Sequence, residues 1–152
     1  MLTIVDNHGH CMTPIVTRSV NIHDTVLFPE SLHTLMESSD LLNLTLVGSH
    51  ITLDSGFDSE TNRELIKSYE FIPVIKPNHR GTKDKEKREE RDEAFREVEN
   101  MYKERHRVER SYAWEDTYRK LVIRYEKLQC TFLGFRYLAY SMMNFRDVFQ
   151  GK

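Results

Sequence analysis

From residue 76 to about residue 98 the chain holds almost nothing that a core could use. The stretch is nearly all Lys, Arg, Asp and Glu, broken by Pro77, Asn78 and Gly81. Moving such charges out of water is costly unless each finds a partner. Folding must therefore leave the segment at the surface and build a core from what lies on either side of it. The expectation is a mobile loop over 76–98, carrying a frayed helix at most.

The 152 residues suffice for one domain with a real core. An apolar share of 39% and a charged share of 30% are ordinary for a globular protein. No run approaches the roughly 18 apolar residues of a membrane span, and no cleavable leader pattern opens the chain. Cys11 and Cys130 stand far apart without ligand spacing, which suits reduced thiols in the cytoplasm. The net charge of −2 does not by itself point to nucleic acid, but its distribution is uneven. Residues 1–78 carry 4 Lys and Arg against 10 Asp and Glu, and residues 79–152 carry 18 against 14. An acidic half with site carboxylates and a basic half facing phosphates would look like this, as would a helical half with a basic solvated face.

Ahead of the charged stretch the pattern reads as strands with helices between. Residues 2–5 start a strand, Asp6-Asn-His-Gly9 makes a hairpin turn, and 12–20 returns, with Pro14 marking an edge. Asp24 can cap a helix to about residue 38, with Val26, Leu27, Leu32, Leu35 and Met36 as its apolar stripe. Residues 44–53 form a strand broken near Gly48. A helix capped by Asp58 or Ser59 runs to about residue 69, with Leu65 and Ile66 inward. A short edge strand with Pro73 spans 71–75. Beyond the charged stretch, one helix over 100–128 buries Tyr118, Leu121, Val122, Tyr125 and Leu128. A last helix over 131–149 buries Phe132, Phe135, Leu138, Ala139, Met142 and Phe145. The whole is an α/β layered domain with mixed strand directions and two long C-terminal helices. Opening on what reads as an inner hairpin, it looks like a larger domain lacking its first piece.

Two acids stand out. Asp54 follows an apolar strand, and sites in open α/β sheets form at the carboxyl ends of strands. Its plainer role is an Asp-Ser-Gly turn whose carboxylate serves backbone amides. Glu109 shares a helix face with Tyr102 and Arg105, and Arg105 can hold its rotamer. A solvent-facing ion pair would use the same spacing. Tyr112 and Trp114 read as core anchors. Arg105, Arg107, Arg110, Arg119, Lys120, Arg124 and Lys127 make the helix basic, although five acids lie between Glu104 and Glu126. His8-Gly-His10-Cys11 lacks the second ligand pair a zinc site needs, and Asp6 reads as a turn residue.

Together these pieces resemble the C-terminal portion of insertion-sequence DDE transposases. Leu2-Thr-Ile-Val-Asp6-Asn-His-Gly9 with Val20-Asn21-Ile-His23-Asp24 is similar to that family's hairpin and its Asn-x-x-Asp element. Leu53-Asp54-Ser-Gly56-Phe57-Asp58-Ser59 resembles its second-aspartate motif. Phe71-Ile-Pro73-Val-Ile75-Lys-Pro-Asn78-His-Arg80 resembles the edge strand that follows. Tyr102-x-x-Arg105-x-x-x-Glu109 matches its glutamate signature, continuing into Trp114 and Arg124-Tyr125-Glu126. The likeness covers nearly the whole chain and departs at two places. No residue here matches the family's first aspartate, and Asp116 stands where many members carry a lysine, with Lys120 the nearest substitute.

The resemblance implies an RNase H-like mixed sheet flanked by helices, and cleavage and strand transfer at transposon ends with two Mg²⁺ or Mn²⁺ ions. Asp54 and Glu109 would be the metal-holding catalytic acids, and an upstream fragment or frame would supply the bridging aspartate. Alone, the chain would then be inactive. Arg105 would orient Glu109 and Tyr102 would pack beside it. Arg107, Arg110, Arg119, Lys120 and Arg124 would meet DNA, and a homodimer would act on paired ends at the bacterial nucleoid. Three alternatives remain open: a catalytically dead DNA-binding or interaction remnant, a nuclease of the same fold, and a plain helical scaffold.

Overall fold

The computed structural model describes residues 1–19, 21–80, 84–123 and 125–150. The expectations attached to Val20, Gly81 and Arg124 fall outside them.

The expected hairpin forms. Two antiparallel bridges, Leu2 to Val16 and Val5 to Cys11, tie residues 2–5 to 11–16. In the turn the Asp6 N–H donates to the His10 carbonyl at 2.9 Å and the Gly9 N–H to the Asp6 carbonyl at 3.0 Å. Gly9 stands at φ +90°, where a Cβ is strained. The returning segment is the longer one between the two bridges and bulges at Thr13 and Pro14. There the Ile4 N–H donates to Thr13 Oγ1 at 3.4 Å.

Helix α1, Asp24–Leu41, begins one residue earlier in its capping than expected: His23, not Asp24, is the N-cap. Its buried face is Leu27, Phe28, Leu32 and Leu35, while Val26 points to solvent at 66% exposure. Strand β1 is confined to His50–Leu53, because Gly48 at φ +76° turns the chain just before it. Helix α2, Glu60–Ser68, is capped by Ser59, whose Oγ accepts from the Asn62 N–H at 3.1 Å. Strand β2, Ile72–Ile75, runs parallel to β1, with Ile51 opposite Pro73 and Leu53 opposite Ile75. Pro73 has no N–H to give, as its place on the outer edge requires.

These elements close the larger core. Phe28, Leu32, Leu35, Ile66, Phe71 and Ile75 are buried together, and Leu2, Ile4, Ile51, Leu53 and Phe57 pack on them. A smaller cluster of Ile15, Tyr140 and Met143, joined by Cys11 and Trp114, lies under the C-terminal helices. Hairpin residues belong to both clusters, which fits a layered α/β arrangement.

The charged stretch is not the loop expected over 76–98. Helix α3, Lys85–Tyr102, occupies most of it, with Asp84 Oδ1 accepting from the Glu86 and Lys87 N–H groups. Lys, Glu, Arg and Ala are strong helix formers, so a charged segment can be helical while burying none of its residues. The single helix expected over 100–128 is instead broken. A 3₁₀ turn at Lys103–Arg105 separates α3 from α4, His106–Glu115, and a short α5 follows at Arg119–Val122. Side chains compete for the backbone at both breaks. His106 Nδ1 lies 2.6 Å from the Lys103 carbonyl, and the Thr117 hydroxyl donates to the Trp114 carbonyl at 2.7 Å. Of its expected buried stripe, only Leu121 is buried and Tyr118 half-buried, whereas Val122, Tyr125 and Leu128 are exposed. The last helix, α6, spans Gln129–Gln150 and buries Ala139, Tyr140 and Met143. Leu138, Met142 and Phe145, expected inside, face solvent.

One buried ion pair fixes the turn between β1 and α2. The Asp58 side chain is 1% exposed and accepts from Arg63 Nε at 2.8 Å and from the Asn78 N–H at 2.7 Å. Arg63 Nη2 also donates to the Ile75 carbonyl at 3.0 Å. Removing one partner of such a pair strands the other, so Asp58→Ala is expected to cost about 3–5 kcal/mol. Urea denaturation measures this, and a loss below about 1 kcal/mol would show that the pair does not hold the turn.

Candidate active-site cleft

Asp54 sits just past β1 because the strand stops at Leu53 and the chain enters a 3₁₀ turn at Ser55–Phe57. Its backbone is extended, and its carbonyl accepts from the Phe57 N–H at 2.9 Å. The carboxylate makes no capping bond to the turn, so the simple turn role does not account for it. It is exposed, with Ser55 Oγ at 3.2 Å.

A cavity of about 640 Å³ opens beside it. One wall is residues 2–7 of the hairpin, another is 49–54 along β1, and Glu104, Arg105, Arg107, Val108 and Tyr112 come in from the α3–α4 junction. Asp6, Asp24, Asp54 and Glu104 are its acids, and Arg105 and Arg107 its basic residues. The fold thus brings Asp54 and Arg105 to one cavity across some fifty residues of sequence.

Glu109 is placed differently. It lies in the first turn of α4, its side chain 64% exposed, with Arg105 Nη2 3.4 Å from its Oε1. Residues lining the cavity do not include it. Arg105 stands between, lining the cavity, contacting Glu109, and lying 5.9 Å over the half-buried Tyr102 ring. Arg107 Nε is engaged with Glu104 Oε2 at 2.8 Å, which holds the Glu104 carboxyl below its usual range. Arg110 lies 4.6 Å over the Trp114 ring, and Lys120 Nζ 4.5 Å over that of Phe135. Arg119 is exposed on α5, and Asp116 is the exposed C-cap of α4.

At the hairpin turn, burial pushes the Asp6 carboxyl up, but bonds from His10 and from the His8 and His10 backbone outweigh it and leave the group lowered. Asp6 thus behaves as a turn residue that also reaches the cavity wall. Cys11 bonds Thr3 Oγ1 at 3.0 Å, and burial raises its thiol.

Sequence reasoning did not find the groups that hold α4 in place. The Ser111 hydroxyl donates to the Gly9 carbonyl, and a Cβ on Gly9 would come within 2.9 Å of Ser111 Oγ. Glu115, 4% exposed, is paired with Arg136 and accepts from the Tyr140 hydroxyl at 2.9 Å. A buried acid six residues past Glu109 gives no sequence signal that separates it from its solvated neighbours.

Among the described residues, no three His, Cys, Asp or Glu gather as a metal-holding group. The oxygen donors at the cavity are of the kind that Mg²⁺ and Mn²⁺ prefer, but they are not assembled into a ligand set. They fit such ions in chemistry and not in placement.

Among known proteins, a family model described as Transposase DDE domain matches residues 51–146, more than half of the chain. The protein belongs to the DDE transposase family. No curated protein and no solved structure matches it. Family membership implies an interaction with DNA and an enzyme of the transposase or nuclease type. No helix among the described residues is long and apolar enough to cross a membrane.

Burial pushes the Tyr140 phenol up to about 12, against about 10 in an unfolded chain. The fold favours its neutral form. The stability it contributes is intact below about pH 10 and is lost as the pH climbs through 12. Alkaline unfolding followed by circular dichroism should steepen in that window, and Tyr140→Phe should flatten it. An unchanged slope in the variant would place the linkage elsewhere.

Proposed function

We propose that the chain is the second-aspartate and glutamate portion of an RNase H-like transposase domain, one that cuts DNA at transposon ends and joins them to target DNA. The observation that carries this reading is the uncapped Asp54 at the carboxyl end of β1, facing a cavity that Arg105 shares, inside the matched segment that also contains Glu109. Asp54 would hold a divalent cation and Glu109 would serve the same site when Arg105 turns it inward. A bound cation supplies neutralisation of the charge that develops on the phosphate oxygens. Arg119, Lys120 and Arg110 would meet the DNA backbone, with Arg107 contributing once released from Glu104. Tyr102 would support Arg105. The setting is the bacterial cytoplasm, and two copies would act on paired ends.

A second reading has its own support. With Glu109 outside the cavity lining and no three acids gathered, the described chain resembles a DNA-binding remnant without catalysis.

The two separate in a cleavage assay on labelled transposon-end duplex with Mg²⁺ or Mn²⁺. With an added segment supplying the bridging aspartate, Asp54→Asn or Glu109→Gln should lower cutting by about a thousandfold, matching the several kcal/mol a metal site supplies. DNA affinity should change by no more than about twofold, because neither acid contacts phosphate directly. Residues 1–152 alone should bind DNA and cut near background. Near wild-type cutting by either variant would remove that acid from the site.

A further inference from the structure

We propose that the outer face of helix α6 is an interface for a second copy of this chain, closed by apolar side chains along one seam and formed without DNA or metal. It stands on α6 alone and not on the reading of Asp54 and Glu109.

Helix α6 carries two apolar faces where a surface helix carries one. Ala139, Tyr140 and Met143 make the inner face and are buried, the last two with Ile15. The outer face follows a different spacing. Leu128, Phe135, Met142 and Phe149 stand seven residues apart, and Thr131, Leu138 and Phe145 lie three residues after the first three. Such alternating steps of three and four are the seam of paired helices, because they keep one edge toward a partner over successive turns. Leu128 belongs to the first turn, where its carbonyl accepts from the Phe132 N–H at 3.2 Å. Leu128, Leu138, Met142, Phe145 and Phe149 are between 52% and 80% exposed, so the described chain leaves more than half of each uncovered. Phe135 is half-buried, with Lys120 Nζ 4.5 Å over its ring. The Phe145 and Phe149 rings stack 5.9 Å apart and 17° from parallel, so this end of the seam is ordered before a partner arrives.

The occupant must be apolar and about as long as the seam, roughly 30 Å from Leu128 to Phe149. It should bring no charge to be matched, because both arginines of α6 turn back into their own molecule. Arg136 pairs with Glu115, and Arg146 lies 4.8 Å over the Trp114 ring. That disfavours nucleic acid and an anionic lipid surface, which both draw on outward positive charge. A second α6 meets both requirements by construction. A two-fold axis lays the same seam of each copy against the other, as an isologous interface requires. Another exposed apolar group, Leu41, Leu42, Leu44 and Val47, sits at the end of α1 and in the turn after it, too short a surface to cover the seam. Thr131 is the one polar position of the repeat.

The test is sedimentation equilibrium of residues 1–152 over micromolar concentrations, with neither metal nor DNA present, so the outcome is separate from any cutting result. The chain should dimerise, and salt of about 1 M, which cuts the screening length to about 3 Å, should leave the association intact. Phe145→Glu should weaken it by about tenfold or more, with far-ultraviolet circular dichroism retained. Thr131→Leu, which fills the polar position of the seam, should tighten it by about threefold or more. Loss of fold cannot produce that gain, so Thr131→Leu decides should Phe145→Glu unfold. Leu42→Glu, outside the seam, should change the association by less than about twofold. Three outcomes would overturn the proposal. One is a monomer at every concentration. Another is association that ignores both seam variants, or that falls as far with Leu42→Glu. The third is a monomer that binds anionic lipid vesicles and loses them with Phe145→Glu, which would assign the seam to a membrane surface.

Discussion

The carboxylate of Asp58 is the constraint on which the first half of the molecule turns. It is buried, and a buried carboxylate is tolerable only when its oxygens are satisfied. Arg63 of α2 and the Asn78 amide satisfy them, and the same guanidinium takes the Ile75 carbonyl at the end of β2. Three pieces are thereby fixed to one point: the exit of β1, the first turns of α2 and, some twenty residues on, the exit of β2. Asp54 lies four residues before that point. Its location at the mouth of the cavity follows from where Asp58 must be.

The opposite wall has a different anchor. Helix α4 is held from below by Glu115 with Arg136 and Tyr140 of α6, and from the side by Ser111 on the Gly9 carbonyl. The cavity is therefore bounded by two independently braced units, the parallel pair with α2 and the α4–α6 pair, which meet across the hairpin. Hairpin residues contribute to both clusters of buried side chains, so the hairpin is the shared part. Glu109 belongs to the α4 unit and Asp54 to the other. Any approach of the two acids is a movement of side chains or of one braced unit relative to the other.

Much of this was legible in the residues. The Asp6-to-Gly9 turn, the Ser59 cap and Asp54 at a strand end each depend on local chemistry that the sequence displays directly. The α/β character and the family follow from the same features. The errors have physical causes too. Charge density over 76–98 argues against a core but not against structure, because Lys, Glu, Arg and Ala favour a helix whose faces are all solvated. The helix over 100–128 was read from apolar spacing, while Thr117 and His106 offered local backbone bonds that periodicity does not register. Phe28 and Glu115 were missed for a shared reason. Which residues of a helix end up inside depends on where its neighbours lie, and those neighbours come from distant sequence.

Prolines mark the outer margins of the strands. Pro73 leaves the edge of β2 away from β1 without a donor at its middle, and Pro14 interrupts the outer segment of the hairpin at its bulge. A foreign strand arriving at either margin meets a gap in the ladder. Edge-to-edge addition of a second copy at either margin would lose a backbone bond at its centre.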